Sequence, residues 1–258
     1  MKILAIMGSP RKKGNTYRVV EQVRENLAEY DKNIEFEYIF LQDQNFQMCK
    51  GCFACISQGA DKCPLKDDRA EIESKMLKAD GIILASPSYA MGVTGLMKNF
   101  IDRFACTLHR PLFFDSAFLA VTTIGGFRGI KETLNQLAIL SAGSKQVTKL
   151  GVAIPPIKMA GFEKKAAKNI KKASADFYRS LQKKNRKLPG FGDWGYFHAF
   201  KTMAAYQSYQ KVCPADDSYY KGKEEYFYPL KGHFLRRLVG KLFGGLMRFS
   251  FRFIIEEK

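Results

Sequence analysis

Met1-Lys2-Ile3-Leu4-Ala5-Ile6-Met7-Gly8-Ser9-Pro10-Arg11-Lys12-Lys13-Gly14-Asn15-Thr16 opens the chain and carries the reading of its fold. An apolar run of strand length stops at a glycine, and a helical pattern starts at about residue 15. Glycines let the connecting loop turn tightly, and the helix N-terminus presents N–H groups with no partner inside the helix. Ser9, Asn15 and Thr16 add neutral donors, and Arg11 can add a charge-assisted contact. The stretch lacks the Gly-Lys-Ser/Thr of a nucleoside-triphosphate loop and the G-x-G-x-x-G of a dinucleotide site, so a terminal monophosphate suits it better. A plain helix cap by Asn15 or Thr16 is the alternative.

The same alternation continues downstream. Short apolar runs at 2–7, 34–41, 81–86, 117–123 and 147–154 alternate with helical patterns at about 15–30, 68–79, 93–106, 129–141 and 161–185. Five strand-then-helix repeats predict an α/β fold, a doubly wound five-stranded parallel sheet covered on both faces. Ligands of such sheets sit beyond the carboxyl ends of the strands, so the loops after strands one, three and four are expected to build the site.

The loop after strand three, from Ser86 to Gly95, holds Pro87, Ser88, Tyr89, Met91 and Gly92. A proline-stiffened turn followed by an aromatic and a glycine suits the edge of a flat ring system, with Tyr89 and Met91 bordering it. Core contacts at a helix start are the plainer alternative. Asp102 and Arg103, further along, are expected at a helix surface or a subunit interface. The loop after strand four, Thr122-Thr123-Ile124-Gly125-Gly126-Phe127-Arg128-Gly129, exposes backbone that can approach a planar ligand closely, with Phe127 over one face. An ordinary turn is the alternative there.

An insertion after strand two, at about 42–67, carries Cys49, Cys52, Cys55 and Cys63. Three cysteines at two-residue gaps with a fourth close behind is the pattern that binds a [4Fe-4S] cube, whereas structural zinc usually takes two separated C-x2-C pairs. Zinc, a redox disulfide and an empty loop remain alternatives. Cys106 and Cys213 are isolated and read as small buried apolar groups.

The chain of 258 residues has a net charge of +17, of which +13 falls in residues 151–258. Its first residues lack the long apolar stretch and cleavage site of a signal peptide, and no uncharged apolar run reaches spanning length, so the cytoplasm is the expected address. No recognised nucleic-acid motif accompanies the charge, and nucleic acid is not expected as a partner. Residues 187–230 are rich in aromatics that need burial on their own domain or a neighbouring subunit. Leu235, Leu238, Leu242, Leu246, Phe249 and Phe253 recur at helical spacing, with Arg237, Lys241, Arg248 and Arg252 on another side. This basic amphipathic helix, 232–255, is expected to pack on a partner subunit, with peripheral contact to an anionic membrane as the alternative. Gly244 and Gly245 are expected to weaken it midway.

Gly8-Ser9-Pro10-Arg11 with Gly14-Asn15-Thr16, the cysteine array, Pro87-Ser88-Tyr89 with Gly92, and Gly95 through Arg103 together resemble the iron-sulfur flavoproteins, a family within the flavodoxin-like NADPH-dependent FMN reductases. The resemblance covers about residues 1–180 and implies strand order 2-1-3-4-5, FMN in the crevice and association as homodimer or homotetramer. Position by position it implies Ser9, Arg11, Gly14, Asn15 and Thr16 at the FMN phosphate. Pro87, Ser88, Tyr89, Met91 and Gly92, with Thr123, Gly125, Gly126 and Phe127, would surround ribityl and isoalloxazine. Cys49, Cys52, Cys55 and Cys63 would take the [4Fe-4S] positions. The expected organisation is a flavodoxin-like domain at 1–186 and an aromatic, basic, mainly helical C-terminal extension at 187–258. The expected activity is FMN-dependent oxidoreduction with NAD(P)H as co-substrate and a quinone, flavin or other small acceptor. The alternative is an electron carrier between redox proteins such as ferredoxin. No catalytic side chain is implied, and His109, His198 and His233 read as structural or surface groups.

Overall fold

The computed structural model describes residues 1–126 and 128–254. In chain order its main elements are β1 Lys2–Met7, α1 Asn15–Tyr30, β2 Glu35–Phe40, α2 Ala54–Ser57, α3 Arg69–Leu77, β3 Gly81–Pro87, α4 Gly95–Arg103 and α5 Cys106–His109. They continue as β4 Ala117–Ile124, α6 Ile130–Leu137, β5 Gln146–Ala153, α7 Phe162–Leu181, α8 Phe191–Ala204, α9 Gln207–Val212, α10 Pro214–Tyr220 and α11 Phe234–Phe251. The chain divides into two units.

The first unit comprises Met1–Cys49, Lys66–Phe104 and Leu112–Arg186. Its five strands are all parallel in the order β2-β1-β3-β4-β5, the flavodoxin-like order. Strand periodicity sends alternate side chains of β1 to opposite faces. Leu4 and Ile6 join the cluster containing Phe100, Phe104 and Phe118, while Ile3, Ala5 and Met7 join the one containing Val20, Leu27 and Phe177. Each fully buried aliphatic or aromatic side chain stabilises the fold by ~1.5–3 kcal/mol relative to exposure. A central strand buried on both faces has to be apolar throughout, which is why β1, β3 and β4 read as continuous runs.

Register fixes where the site lies. Met7 of β1 pairs with Ala85 of β3, and Pro87 of β3 pairs with Thr123 of β4, so three strands end side by side. Two predicted helices stop early. The last turn of the segment after α6 tightens into a 3-10 helix over Ala138–Ser141, and α4 ends at Arg103.

The second unit comprises Lys50–Leu65, Ala105–Pro111 and the chain from Lys187 onward. It is built on aromatic contacts. The fully buried Phe197 ring lies 5.0 Å from Phe227, 5.5 Å from Tyr226 and 5.9 Å from Tyr220, and Trp194 meets Tyr226 edge-on at 5.3 Å. These are the separations at which ring quadrupoles attract. Helix α11 runs unbroken through Gly244 and Gly245. Its packing face is a seam of glycine: Gly240 and Gly244 are buried, and a Cβ on either would stand 2.6 Å from the Trp194 indole or the His198 imidazole of α8. The leucine stripe faces elsewhere and stays exposed, Leu242 by 67% and Leu246 by 62%. No helix among the described residues is long and apolar enough to cross a membrane.

Candidate functional site

The loops at the strand ends of the first unit are tied to one another. Gly8 lies so close to α4 that a Cβ there would sit 2.6 Å from that of Met97, a separation only glycine tolerates. Thr94 caps α4 by accepting from the Met97 N–H and donates its own hydroxyl to the Gly8 carbonyl, while its N–H donates to Ser86 Oγ at 3.0 Å. Ser9 folds the β1 loop on itself, with Oγ accepting from the Arg11 N–H and donating to the Arg11 carbonyl, both at 3.1 Å. Thr16 and Thr123 hydroxyls meet at 2.8 Å and fasten the first turn of α1 to the end of β4.

That first turn is set up for an anion. Its N-cap is Gly14, which offers no side-chain cap, and its first turn contains no acidic residue. The backbone N–H groups left without intrahelical partners at this end, together with the helix dipole, attract negative charge. A cavity of about 410 Å³ opens there, lined by Ser9, Arg11, Gly14, Asn15, Thr16, Pro87, Ser88, Tyr89, Thr123 and Gly125 of the expected residues. Arg18, Ile124 and Ile154 complete the lining, so it carries two arginines and no carboxylate, histidine or cysteine. Among the described residues of the lining, Tyr89 is the one side chain besides the arginines that can exchange a proton.

Met91, Gly92 and Gly126 stand outside this lining, and Phe127 lies outside the described residues. Tyr89 and Gly92 exchange backbone hydrogen bonds of 2.9 and 3.0 Å around a tight turn whose two central residues, Ala90 and Met91, have φ of 48° and 61°. Met91 thereby points away to a second cavity, shared with Arg128 and Gly129. Arg18 and Ile154 lie outside the three loops expected to build the site. Arg18 shares the Asn15 face of α1 at three-residue spacing, and Ile154 follows the last residue of β5, so helical period and the fifth strand end were the available signals.

Cys49, in the first unit, is held by α4. Its N–H donates to Asn99 Oδ1 at 2.8 Å, and Asn99 Nδ2 donates to the Gln47 carbonyl at 3.2 Å. One turn on, Arg103 donates to the same Gln47 carbonyl at 2.8 Å and to Asp67 Oδ1 at 2.9 Å. The expected surface position of Arg103 is corrected: it is 2% exposed, because a guanidinium with carboxylate and carbonyl partners can be buried where a solvated one would not be. Asp102 does remain at the surface, paired with Lys98. Burial pushes the Asp67 carboxyl up, but hydrogen bonds from Arg103 and from the Gln47 and Arg69 N–H groups outweigh it and hold the group below its ordinary value.

Cys52, Cys55 and Cys63 belong to the second unit, Cys52 exposed and the other two half-buried. Arg110 donates to the Cys55 carbonyl at 2.6 Å and to the Ile56 carbonyl at 2.8 Å, and it pairs with Asp216 of α10. Cys213 Sγ donates to the Ile56 carbonyl at 3.2 Å. His109, Cys213 and Asp216 bring ligand-type atoms within 4.8 Å of one another. Asp216, however, also accepts from Arg110 and from the Tyr209 hydroxyl, and a guanidinium on the carboxylate opposes a second cation there. The trio works as a polar knot that fastens α10 to the cysteine segment.

Residues 1–155 match the NADPH-dependent FMN reductase family. An iron-sulfur flavoprotein of Methanocaldococcus jannaschii is 46% identical over 103 residues, 40% of this chain and 51% of the relative. One from Methanosarcina thermophila is 32% identical over 139 residues, 53% of this chain and 71% of the relative. The chain spans about half the length of the first of these. Among solved structures, an NAD(P)H:quinone oxidoreductase from Methanothermobacter marburgensis superposes with a TM-score of 0.55 at 18% identity, covering 72% of this chain and 99% of its own. A flavone reductase superposes with a TM-score of 0.53 at 19% identity, covering 70% and 63%. At these identities the two structures speak for the fold.

Proposed function

Since this chain belongs to the NADPH-dependent FMN reductase family, and within it to the iron-sulfur flavoproteins, we propose that it is an FMN-dependent oxidoreductase moving electrons from NAD(P)H to a small acceptor such as a quinone or a flavin. The observation that carries the reading is the carboxylate-free cavity at the N-terminus of α1, with two arginines on its wall. Its donor set fits a phosphate monoester: Arg11, the open N–H groups of the first helical turn, and the Asn15 and Thr16 side chains. Ser88, Tyr89, Thr123 and Gly125 would border ribityl and ring, with Tyr89, 48% exposed, at the rim. FMN, when bound, supplies a ring that accepts a hydride and returns electrons singly or in pairs. The protein's share is to orient that ring and leave one edge open, since the hydride and electron chemistry belongs to the cofactor.

Cys49, Cys52, Cys55 and Cys63 would hold a [4Fe-4S] cluster, the centre for which four thiolates at such spacing are the usual donor set. The cluster would pass single electrons to the acceptor. The test is an absorption spectrum with iron and sulfide analysis on anaerobically purified protein, followed by NADPH addition. Flavin bands that bleach with NADPH, and iron with matching sulfide, are the expected result. Flavin without iron would leave a plain FMN reductase, bleaching only by a reduced ferredoxin would make the protein an electron carrier, and absence of flavin would overturn the proposal.

A further inference from the structure

The exposed face of α11 carries a chemistry that the redox site does not use. Leu235, Leu238, Leu242, Leu246, Phe249 and Phe253 form one stripe, each between 46% and 77% exposed. A helix of 18 residues is about 27 Å long. The stripe therefore runs along its whole length. It cannot turn inward, because the opposite face is the glycine seam, where Gly240 and Gly244 lie against Trp194 and His198 without room for a Cβ. Arg237, Lys241, Arg248 and Arg252 follow one edge of the stripe at helical spacing, and all four are exposed; Arg237 pairs with Glu225, which leaves Lys241, Arg248 and Arg252 as the edge offered to an anionic surface. No acidic residue occurs between Tyr226 and Ile254.

We propose that α11 is a membrane-docking helix that lies in the headgroup plane of an anionic bilayer, leucine stripe down and basic edge on lipid phosphates. Charge complementarity selects this occupant. A second copy would bring the same row of cations against the first, whereas anionic lipid neutralises it while the acyl boundary takes the apolar side chains. The long stems of Lys241, Arg248 and Arg252 can lie along apolar surface and lift their charges to the interface. Docking by this helix needs no spanning segment, in keeping with the absence of one among the described residues.

The experiment is co-sedimentation of the full chain with phosphatidylcholine vesicles, with and without phosphatidylserine, over a salt series. Binding is expected with phosphatidylserine only and is expected to weaken as salt rises. Leu242→Glu with Leu246→Glu changes exposed positions away from the seam and should abolish binding with an unchanged circular dichroism spectrum. Lys241→Ala with Arg248→Ala and Arg252→Ala should weaken it about fivefold per cation removed. Failure to sediment with anionic vesicles at low salt would overturn the proposal. So would unchanged binding of the Leu242→Glu, Leu246→Glu protein. A wild-type dimer that this double variant dissociates, with no vesicle binding, would assign the stripe to a second copy and overturn it equally.

Discussion

Arg11 and Asp67 show how much a single side chain decides in the first unit. Arg11→Ala should weaken FMN binding about tenfold, the size of one charge-assisted hydrogen bond of ~1.5 kcal/mol, in a flavin-fluorescence titration. Asp67→Asn breaks a pair whose side chains are 0% and 1% exposed. Loss of one partner from a buried ion pair typically costs ~3–5 kcal/mol, and the variant should show a lower melting temperature and faster hydrogen exchange at the Cys49 amide. Acid should act in the same direction. The Asp67 pKa is depressed in the folded state, so its contribution is complete above the ordinary carboxylate value of 3.8 and is lost as pH falls through the folded value. The place of Arg11 in the cavity lining was legible from sequence because it sits in the glycine-bearing loop between β1 and α1. Arg103 was not, because its partners, Gln47 and Asp67, are 56 and 36 residues away and belong to an irregular segment with no periodicity to read.

At the scale of elements, α11 inverts the usual reading of an amphipathic helix. Periodicity located the helix and its leucines correctly, yet the packing face is built on Gly240 and Gly244, with Phe243 as its half-buried aromatic. Glycine lowers helix propensity by about 1 kcal/mol relative to alanine, so Gly240→Ala and Gly244→Ala would raise stability on an isolated helix. In the protein each should lower the melting temperature, since the added methyl meets a ring at 2.6 Å. His198, 3% exposed on α8, makes the same seam sensitive to pH. Burial, with Lys201 nearby, lowers its pKa from 6.5 to about 4. The unfolded chain therefore takes up this proton first. Stability from His198 is full above pH 6.5 and declines as pH falls toward about 4, by on the order of a few kcal/mol. His198→Gln should flatten that part of a pH–melting profile. The strands themselves, by contrast, were readable in advance, because parallel strands buried on both faces announce themselves as uninterrupted apolar runs, while their order in the sheet came only from the family resemblance.

Over the whole molecule, the two units draw on the chain differently. The first uses the alternation of strand and helix, which sequence reveals, while the second collects three separate segments through aromatic contacts and a polar knot, neither of which has a period. Removal of residues 187–258 strips Arg110 of Asp216 and the Ile56 carbonyl of Cys213. Hydrogen exchange of such a truncated chain should be fast across 50–65 and 105–111, with the sheet still protected and FMN still bound. Protected amides in those two segments would show that they order without α10. The second unit's assembly from distant segments also sets a timetable. Ribosomes add about 5–20 residues per second, so the wait between the emergence of Cys63 and that of α10 is on the order of ten seconds. During that interval the cysteine segment is outside the ribosome without Cys213 and Asp216, the groups of α10 and its N-cap that later fasten it, so its thiols meet the solvent before their scaffold is complete.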